Sequence, residues 1–206
     1  LKALEPLRQA IPCELVIADT GSTDRTKEIA SKYADILFDF TWVNDFSAAR
    51  NAVMDKCNGK WYLTVDADEY LSPDTKEIVS FLTGSLADQK NLASIVQRNY
   101  KNSDMKGVYT DFNALRMVRM ATGRRYSGTI HEHFGIRNAD ECHALTNTIF
   151  DHDGYTKITP EYLEEKYNRN LTLLEAELSK EPKSIKIVLQ CLESASKHPS
   201  KGRYYT

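Results

Sequence analysis

The sequence predicts an α/β fold: a mainly parallel central sheet with helices on both faces, followed by a helical extension. Three observations predict it. Short apolar runs alternate with amphipathic segments from the start of the chain to about residue 82, as consecutive strand–helix units do. Two of those runs end on acidic turns, "VIADTGSTD" (16–24) and "LTVDADEY" (63–70), at the strand end where open α/β sheets bind ligands. From residue 159 a continuous helical stripe takes over.

The elements follow in order. "LKALEPLRQA" reads as the middle of a helix, as in a segment of a longer chain. "CELVIAD" (13–19) is a short apolar run ending in a turn, which suits a buried strand. Thr23 or Asp24 caps the next helix, whose apolar face carries Ile29, Ala30 and Tyr33. "ADILFDF" (34–40) is a second strand. Asp45 or Ser47 opens "FSAARNAVMDKC", with Phe46, Ala49, Val53 and Cys57 at helical spacing and Asn58-Gly59 as its stop. "KWYLTVDAD" (60–68) is a third buried strand, and Pro73 opens a helix through about Leu82. "LASIVQRNY" (92–100), "NALRMVRM" (113–120) and "ALTNTIFDHD" (144–153) are strand-like, separated by turns such as Lys106-Gly107 and Thr122-Gly123. In the extension Tyr162, Leu163, Tyr167, Leu171, Leu174 and Leu178 share one stripe, Pro182 breaks it, and "KSIKIVLQCLESASKH" starts another helix. The boundary falls near Tyr155, giving units 1–155 and 156–206.

Composition narrows the function. Apolar residues at 41% and charged residues at 27% describe an ordinary soluble globular chain. A formal net charge of −2 gives no electrostatic case for a nucleic-acid partner. No apolar run reaches the roughly 18–20 residues that span a bilayer, so no integral membrane segment is expected. Cys13, Cys57, Cys142 and Cys191 lack CxxC spacing, and Cys13 and Cys57 read as small buried hydrophobes in a reducing, cytoplasmic setting.

"DTGS" invites an aspartic-protease reading, but a helix and further α/β units follow it, and no second such motif exists. "DADEY" invites a haloacid-dehalogenase-like phosphatase reading. Such enzymes carry Thr or Val where Tyr70 stands, and their motif lies on the first strand. The phosphatase stays as a rival; the leading reading treats Asp19 and the Asp66/Asp68 pair as one site. Two ionised carboxylates at i and i+2 in a crevice repel one another, and a divalent cation, Mn²⁺ or Mg²⁺, removes that cost while a diphosphate fills its other positions. This requires both side chains to face the crevice, unbridged by lysine or arginine.

"DTGSTD", "DFSAARN" and "VDADEYL" in this order resemble family 2 glycosyltransferases of the GT-A, Rossmann-like fold. "ALRMVRMATGRRYSGTIHEHF" resembles the segment of bacterial members that ends in Gly-x-x-His-Glu. "TIFDHDGYTK…EKYNRNLTLLEAEL" resembles a His-x-Gly-Tyr turn followed by a helical, tetratricopeptide-like tail. The resemblance covers about residues 10–182. It implies inverting transfer from a nucleotide-sugar donor, commonly a UDP-sugar, to a glycan, lipid-linked or protein acceptor. It also implies a cytoplasmic location, free or peripheral to the inner face of the membrane. It places Asp19, Ser22, Arg50, Asp66, Ala67 and Asp68 at the donor, with Asp66 and Asp68 on the metal-binding D-x-D motif and His152 as a third metal or diphosphate contact. Glu132 is the candidate base and Asp153 its backup. The family begins with a strand that precedes Leu1 in the expected order.

Bland alternatives stand beside these roles, and a non-catalytic nucleotide-sugar-binding protein stands beside the reading as a whole. Arg50 can serve a structural salt bridge, Glu132 a bridge to Arg124 or Arg125, and His152 a backbone contact. His131 and His133 can pair with His143 or His152 around a metal. Trp42, Phe46 and Tyr155 suit packing.

Overall fold

A computed structural model describes residues 1–102, 104–154 and 159–197. The chain runs through α1 (Glu5–Ala10), β1 (Val16–Asp19), α2 (Thr26–Ala30), β2 (Ile36–Asp39), α3 (Phe46–Met54), β3 (Trp61–Leu63) and β4 (Glu69–Leu71). It continues through α4 (Lys76–Thr83), α5 (Leu86–Gln89), β5 (Leu92–Tyr100), β6 (Tyr109–Arg119), β7 (Cys142–His152), α6 (Pro160–Lys180) and α7 (Ile185–Lys197). This is the expected α/β fold with a helical extension.

The pairing differs from a mainly parallel sheet. β1 and β2 pair in parallel as a separate two-stranded sheet, and no described strand joins their ladder to the larger one. The larger sheet has the order β3-β6-β5-β7-β4, with only β5 and β7 parallel. The reason lies at "DAD". The run 60–68 is not one strand: β3 ends at Leu63, and the Asp66–Asp68 turn carries the chain to the opposite sheet edge. There β4 runs antiparallel to β7, Glu69 facing His152.

Neighbouring residues of one strand fall into different apolar clusters, as alternation across a pleat requires. Trp61, Leu63, Ala93 and Met117 pack with Ile78, Phe81 and Phe150 beneath α4. Tyr62, Leu92 and Val118 pack with Met54, Tyr126 and Phe134 on the α3 side. Cys13 departs from expectation: β1 starts only at Val16, and Cys13 is exposed in the approach to it, while all four cysteines are free.

α6 starts as its sequence dictates, with Thr159 Oγ1 accepting from the Tyr162 amide at 3.2 Å and Pro160 in the first turn. Its stripe buries Leu171, Leu173 and Leu174, but Tyr162 is exposed. Ile130 of the sheet domain enters the cluster formed by Leu173, Leu174 and Ile187, with Phe46 alongside. Glu177 Oε2 accepts from Thr129 N at 3.2 Å and Oγ1 at 2.7 Å. The extension therefore grips the 129–130 segment. The drawn boundary at 155, and Tyr155 itself, lie outside the described residues.

One bulge offers a test. Between Ser94↔Ala144 and Val96↔Ile149 the β5–β7 register slips, freeing donors on β7. Glu77 of α4 collects them, accepting from Thr146 N at 3.0 Å, Asn147 N at 2.8 Å and Thr148 Oγ1 at 2.8 Å. Burial pushes the Glu77 carboxyl up, but these bonds outweigh it and hold it below the usual range. A depressed folded value means stability present above the unfolded value and lost as pH falls through the folded one. Glu77→Gln, with one acceptor oxygen where three donors converge, should cost about 1–2 kcal/mol at neutral pH after solvent screening. The deficit should close below about pH 4. Urea unfolding of both proteins across pH checks this.

Candidate functional site

The site is built where β3 ends, α3 begins to bury its second turn, and the edges of β5, β6 and β7 meet. Asp45 caps α3 by accepting from the Ala48 amide at 2.9 Å, which sets the helix register. That register aims Arg50 at the sheet. Its Nη2 donates to Asp66 Oδ1 at 2.9 Å and its Nε to Glu132 Oε1 at 2.6 Å, with the guanidinium 5.6 Å from the Tyr126 ring centroid. The next residue, Asn51, holds the Tyr126 backbone at both ends, donating to its carbonyl at 3.1 Å and accepting from its amide at 2.9 Å. Consecutive residues of "AARN" thus secure the segment that carries Glu132. That segment is not a strand. An isolated antiparallel bridge, Ser127↔His133, closes it on itself outside the sheet, and His131 stands in the left-handed region at φ 54°. Residues 131–133 therefore do not alternate across a pleat, and Glu132 turns inward from a loop to meet Arg50.

Asp66 is held on both oxygens. Arg50 takes Oδ1, and Arg116 Nη1 of β6 lies 3.0 Å from Oδ2. Arg116 also pairs with Glu69, whose side chain is 1% exposed and whose Oε2 accepts from the Asp66 amide at 2.8 Å. Burial raises the Asp66 carboxyl, but the charges of Arg50 and Arg116 outweigh it and keep it below the ordinary range. At Glu69 burial wins and the carboxyl is raised. The electrostatic case for a cation at Asp66 is thereby corrected: two arginines already compensate the charge, and the unbridged arrangement that case required is absent.

Asp68 differs. Its Oδ2 is 3.2 Å from His152 Nε2, while His152 Nδ1 is 2.8 Å from Asn99 Oδ1. The hydrogen bond from His152 lowers the Asp68 carboxyl, with burial opposing it, and the same contact raises the imidazole. The chain closes on this pair: a Cβ at Gly154 would stand 2.5 Å from His152 Nε2 and 2.6 Å from Asp68 Oδ2, so a larger residue there would push the two side chains aside. Without a proton on Nε2, two acceptors would face each other across 3.2 Å; a proton or a cation must lie between them. Ligands about 2.1 Å from an octahedral ion, at right angles, stand about 3.0 Å apart. Asp68 and His152 therefore fit a divalent ion, and Asp66 does not. Among the described residues no group of three or more His, Cys, Asp or Glu side chains forms a metal cluster.

The remaining expected residues fall elsewhere or nearby. Asp19, buried at the end of β1, accepts from Gly21 N at 3.1 Å and Ser22 N at 3.0 Å. The Ser22 hydroxyl is the main cause of its lowered carboxyl value, with burial opposing and the two amides adding to it. Among the described residues no hydrogen bond joins Asp19 or Ser22 to the arginine cluster. Ala67 is exposed at the tip of the turn. Asp153 donates its amide to Asp68 O at 3.2 Å, and its Oδ2 lies 3.4 Å from Tyr70 OH. Arg124 and Arg125 pair with Glu141 and Asp55, not with Glu132. His143 stacks on Phe81, and Trp42 packs edge-on against Phe46 at 4.8 Å. Sequence reasoning missed Asn51, Gln97, Asn99 and Arg116. For Arg116 the available signal was a charge set between apolar neighbours in "ALRMVRM".

Three comparisons bear on this arrangement. The model of the family described as "Glycosyl transferase family 2" matches residues 2–140. The SPbeta prophage-derived glycosyltransferase SunS of Bacillus subtilis is 27% identical over 178 residues, 84% of this chain and 40% of SunS. A TPR repeat-containing protein of Synechococcus elongatus is 48% identical over 58 residues, 28% of this chain and 14% of that protein. The chain thus spans less than half the length of these relatives. The fold is similar to S. aureus TarS 1–349 solved in complex with UDP, with a TM-score of 0.51 at 14% identity, covering 96% of this chain and 65% of that one.

Proposed function

The chain belongs to glycosyl transferase family 2, and from that premise we propose metal-dependent, inverting transfer of a sugar from a UDP-sugar donor to a glycan, lipid-linked or protein acceptor. The choice of UDP is supported by the TarS complex. The observation that supports a metal is the Asp68–His152 pair, whose 3.2 Å separation lets a divalent ion take the place of the proton between Nε2 and Oδ2. Mn²⁺ or Mg²⁺ held there would supply Lewis-acid stabilisation of the departing diphosphate.

This chain's own residues supply the rest. Asp19, which orients the Gly21–Ser22 turn, accepts the N–H of the base. Ser22 and the exposed Ala67 backbone border the donor. Asp66 holds Arg50 and Arg116 in place and does not ligate the metal. Arg50 is the phosphate-facing cation: when the diphosphate engages its guanidinium, Glu132 is released from the 2.6 Å bridge to accept the acceptor's proton. Asp153 is the alternative base.

Thermal unfolding with UDP-sugars and Mn²⁺ tests this reading. At a hundred times Kd, ligand stabilises by about 2.7 kcal/mol, which raises Tm by about 5–10 °C for a chain of this size. Glu132→Gln should keep that shift and lose transfer by ~10²–10⁴-fold. A flat response across a donor panel would overturn the reading. A shift without turnover on any acceptor would favour a non-catalytic nucleotide-sugar-binding protein. Full transfer by Glu132→Gln would move the base to Asp153.

A further inference from the structure

One strand edge is left bare beside the site. β3 pairs with β6 as far as Leu63↔Met117, and the Thr64 amide still reaches the Arg116 carbonyl at 3.0 Å. The chain then turns at Asp66 and crosses to β4 at the opposite edge of the sheet. Among the described residues no strand continues the line of β3 along β6, and Tyr109–Asn113 are exposed throughout. The Lys101 amide donates to the Val108 carbonyl at 3.2 Å, which makes these two a hydrogen-bonded pair. Antiparallel pairs alternate, so Thr110 and Phe112 turn their amides and carbonyls to β5, while Tyr109, Asp111 and Asn113 turn theirs outward. Among the described residues no backbone hydrogen bond takes up these outward groups. At about 3.4 Å per residue the edge is about 17 Å long, enough for a whole strand.

Sheet edges are ordinarily guarded by lysine, proline or a bulge. Residues 108–114, "VYTDFNA", carry neither lysine nor proline, and the hairpin's register shift lies further on, between Ala93 and Ser94. The one charge, Asp111, is neutralised by Arg98 through two bonds of 2.9 Å, and that guanidinium lies 4.1 Å from the Tyr109 ring centroid. Phe112, 61% exposed, is in register with Gln97, which accepts from Arg116 at 3.1 Å, so its ring stands on the face that carries the site.

We propose that this edge docks the acceptor as an extended peptide, which adds to β6 along the line that β3 vacates and so brings one of its side chains to the Asp66–Asp68 turn. The inference deepens the transfer reading, on which it rests for the role of the docked chain. Donors and acceptors repeating at every second residue match another peptide backbone, whereas sugar hydroxyls have no such period. Tyr109 and Phe112 flank the edge on opposite faces, where they meet alternate side chains of the added strand. A second copy of this chain fits less well, since antiparallel pairing about the middle of the edge sets Asp111 against Asp111.

Asn113→Pro tests the docking, because the Asn113 amide lies outside the β5 ladder and proline is tolerated at such an edge. Asn113→Ala keeps the amide and serves as control. A displayed library of random dodecapeptides is selected on the unaltered full chain, and enriched peptides are titrated by calorimetry. The expected peptides carry apolar residues at alternate positions and bind equally to the unaltered protein and Asn113→Ala. They should bind about 10-fold more weakly to Asn113→Pro, in line with lost backbone hydrogen bonds. In ¹⁵N spectra of the unaltered protein they should shift the amides of Tyr109, Asp111 and Asn113, a readout that needs no variant. No enrichment, shifts confined to other segments, or equal binding by folded Asn113→Pro would overturn the docking. So would self-association of the unaltered protein on sedimentation that Asn113→Pro abolishes, which would assign the edge to a second copy. Thermal unfolding of the unaltered protein with UDP-sugars and Mn²⁺ reads the transfer proposal separately. Peptide binding without that shift would keep the docking and overturn the transfer reading, and the shift without peptide binding would do the reverse.

Discussion

Asp68→Ala should lose metal-dependent donor turnover by about 10²–10⁴-fold while remaining folded, because several kcal/mol of charge stabilisation at the leaving group go with the metal. The side chain is 46% exposed, and its hydrogen-bond partner among the described residues is His152 at 3.2 Å, so the fold should survive its loss. The loss should appear in Mn²⁺ titration as well as in turnover, and added Mn²⁺ should not restore it. Turnover near the unaltered level at saturating donor would remove the metal role from Asp68. Asp66→Ala should behave differently. It removes one bridge from each of Arg50 and Arg116 but leaves Asp68 and His152 in place, so Mn²⁺ affinity should survive.

Arg116→Leu should cost about 3–5 kcal/mol of stability, the typical result of removing one partner from a buried ion pair. Glu69 is the reason: its side chain is almost wholly buried, and Arg116 is the cation against it. Asp66 would keep Arg50 but lose its other bridge. For a chain of this length the loss corresponds to a Tm lower by roughly 10 °C. Arg116→Leu combined with Glu69→Leu should recover much of the deficit, since an apolar pair needs no compensation. Urea unfolding separates the cases, and a single variant within about 1 kcal/mol of the parent would contradict the charge account.

Local signals were legible in the sequence and long-range ones were not. β5 falls where the run "LASIVQRNY" places it, because a bounded apolar run specifies a strand by itself. β6 starts four residues earlier than expected, at Tyr109, since its exposed first half lacks apolar alternation. The sheet's pairing was misjudged because one run was read across "DAD", and nothing local tells a strand from a strand plus a crossing turn. The acidic motifs, Arg50, Glu132 and His152 were all identifiable as candidates. Their partnerships were not: Asp66 to Arg116, and His152 to Asn99, are made by strand register between distant segments. The correction at Asp66 arises there, as a carboxylate read in isolation gives no hint of two arginines arriving from α3 and β6.

The hold of Glu177 on Thr129, and of Leu173 and Leu174 on Ile130, bears on how such enzymes can be recombined. The loop so gripped runs directly into Glu132. Grafting a foreign tail after the turn would release this hold, so under the base role proposed for Glu132 a chimera would show slower transfer. Pairing each tail with its own 127–134 loop is the smallest exchange that keeps it.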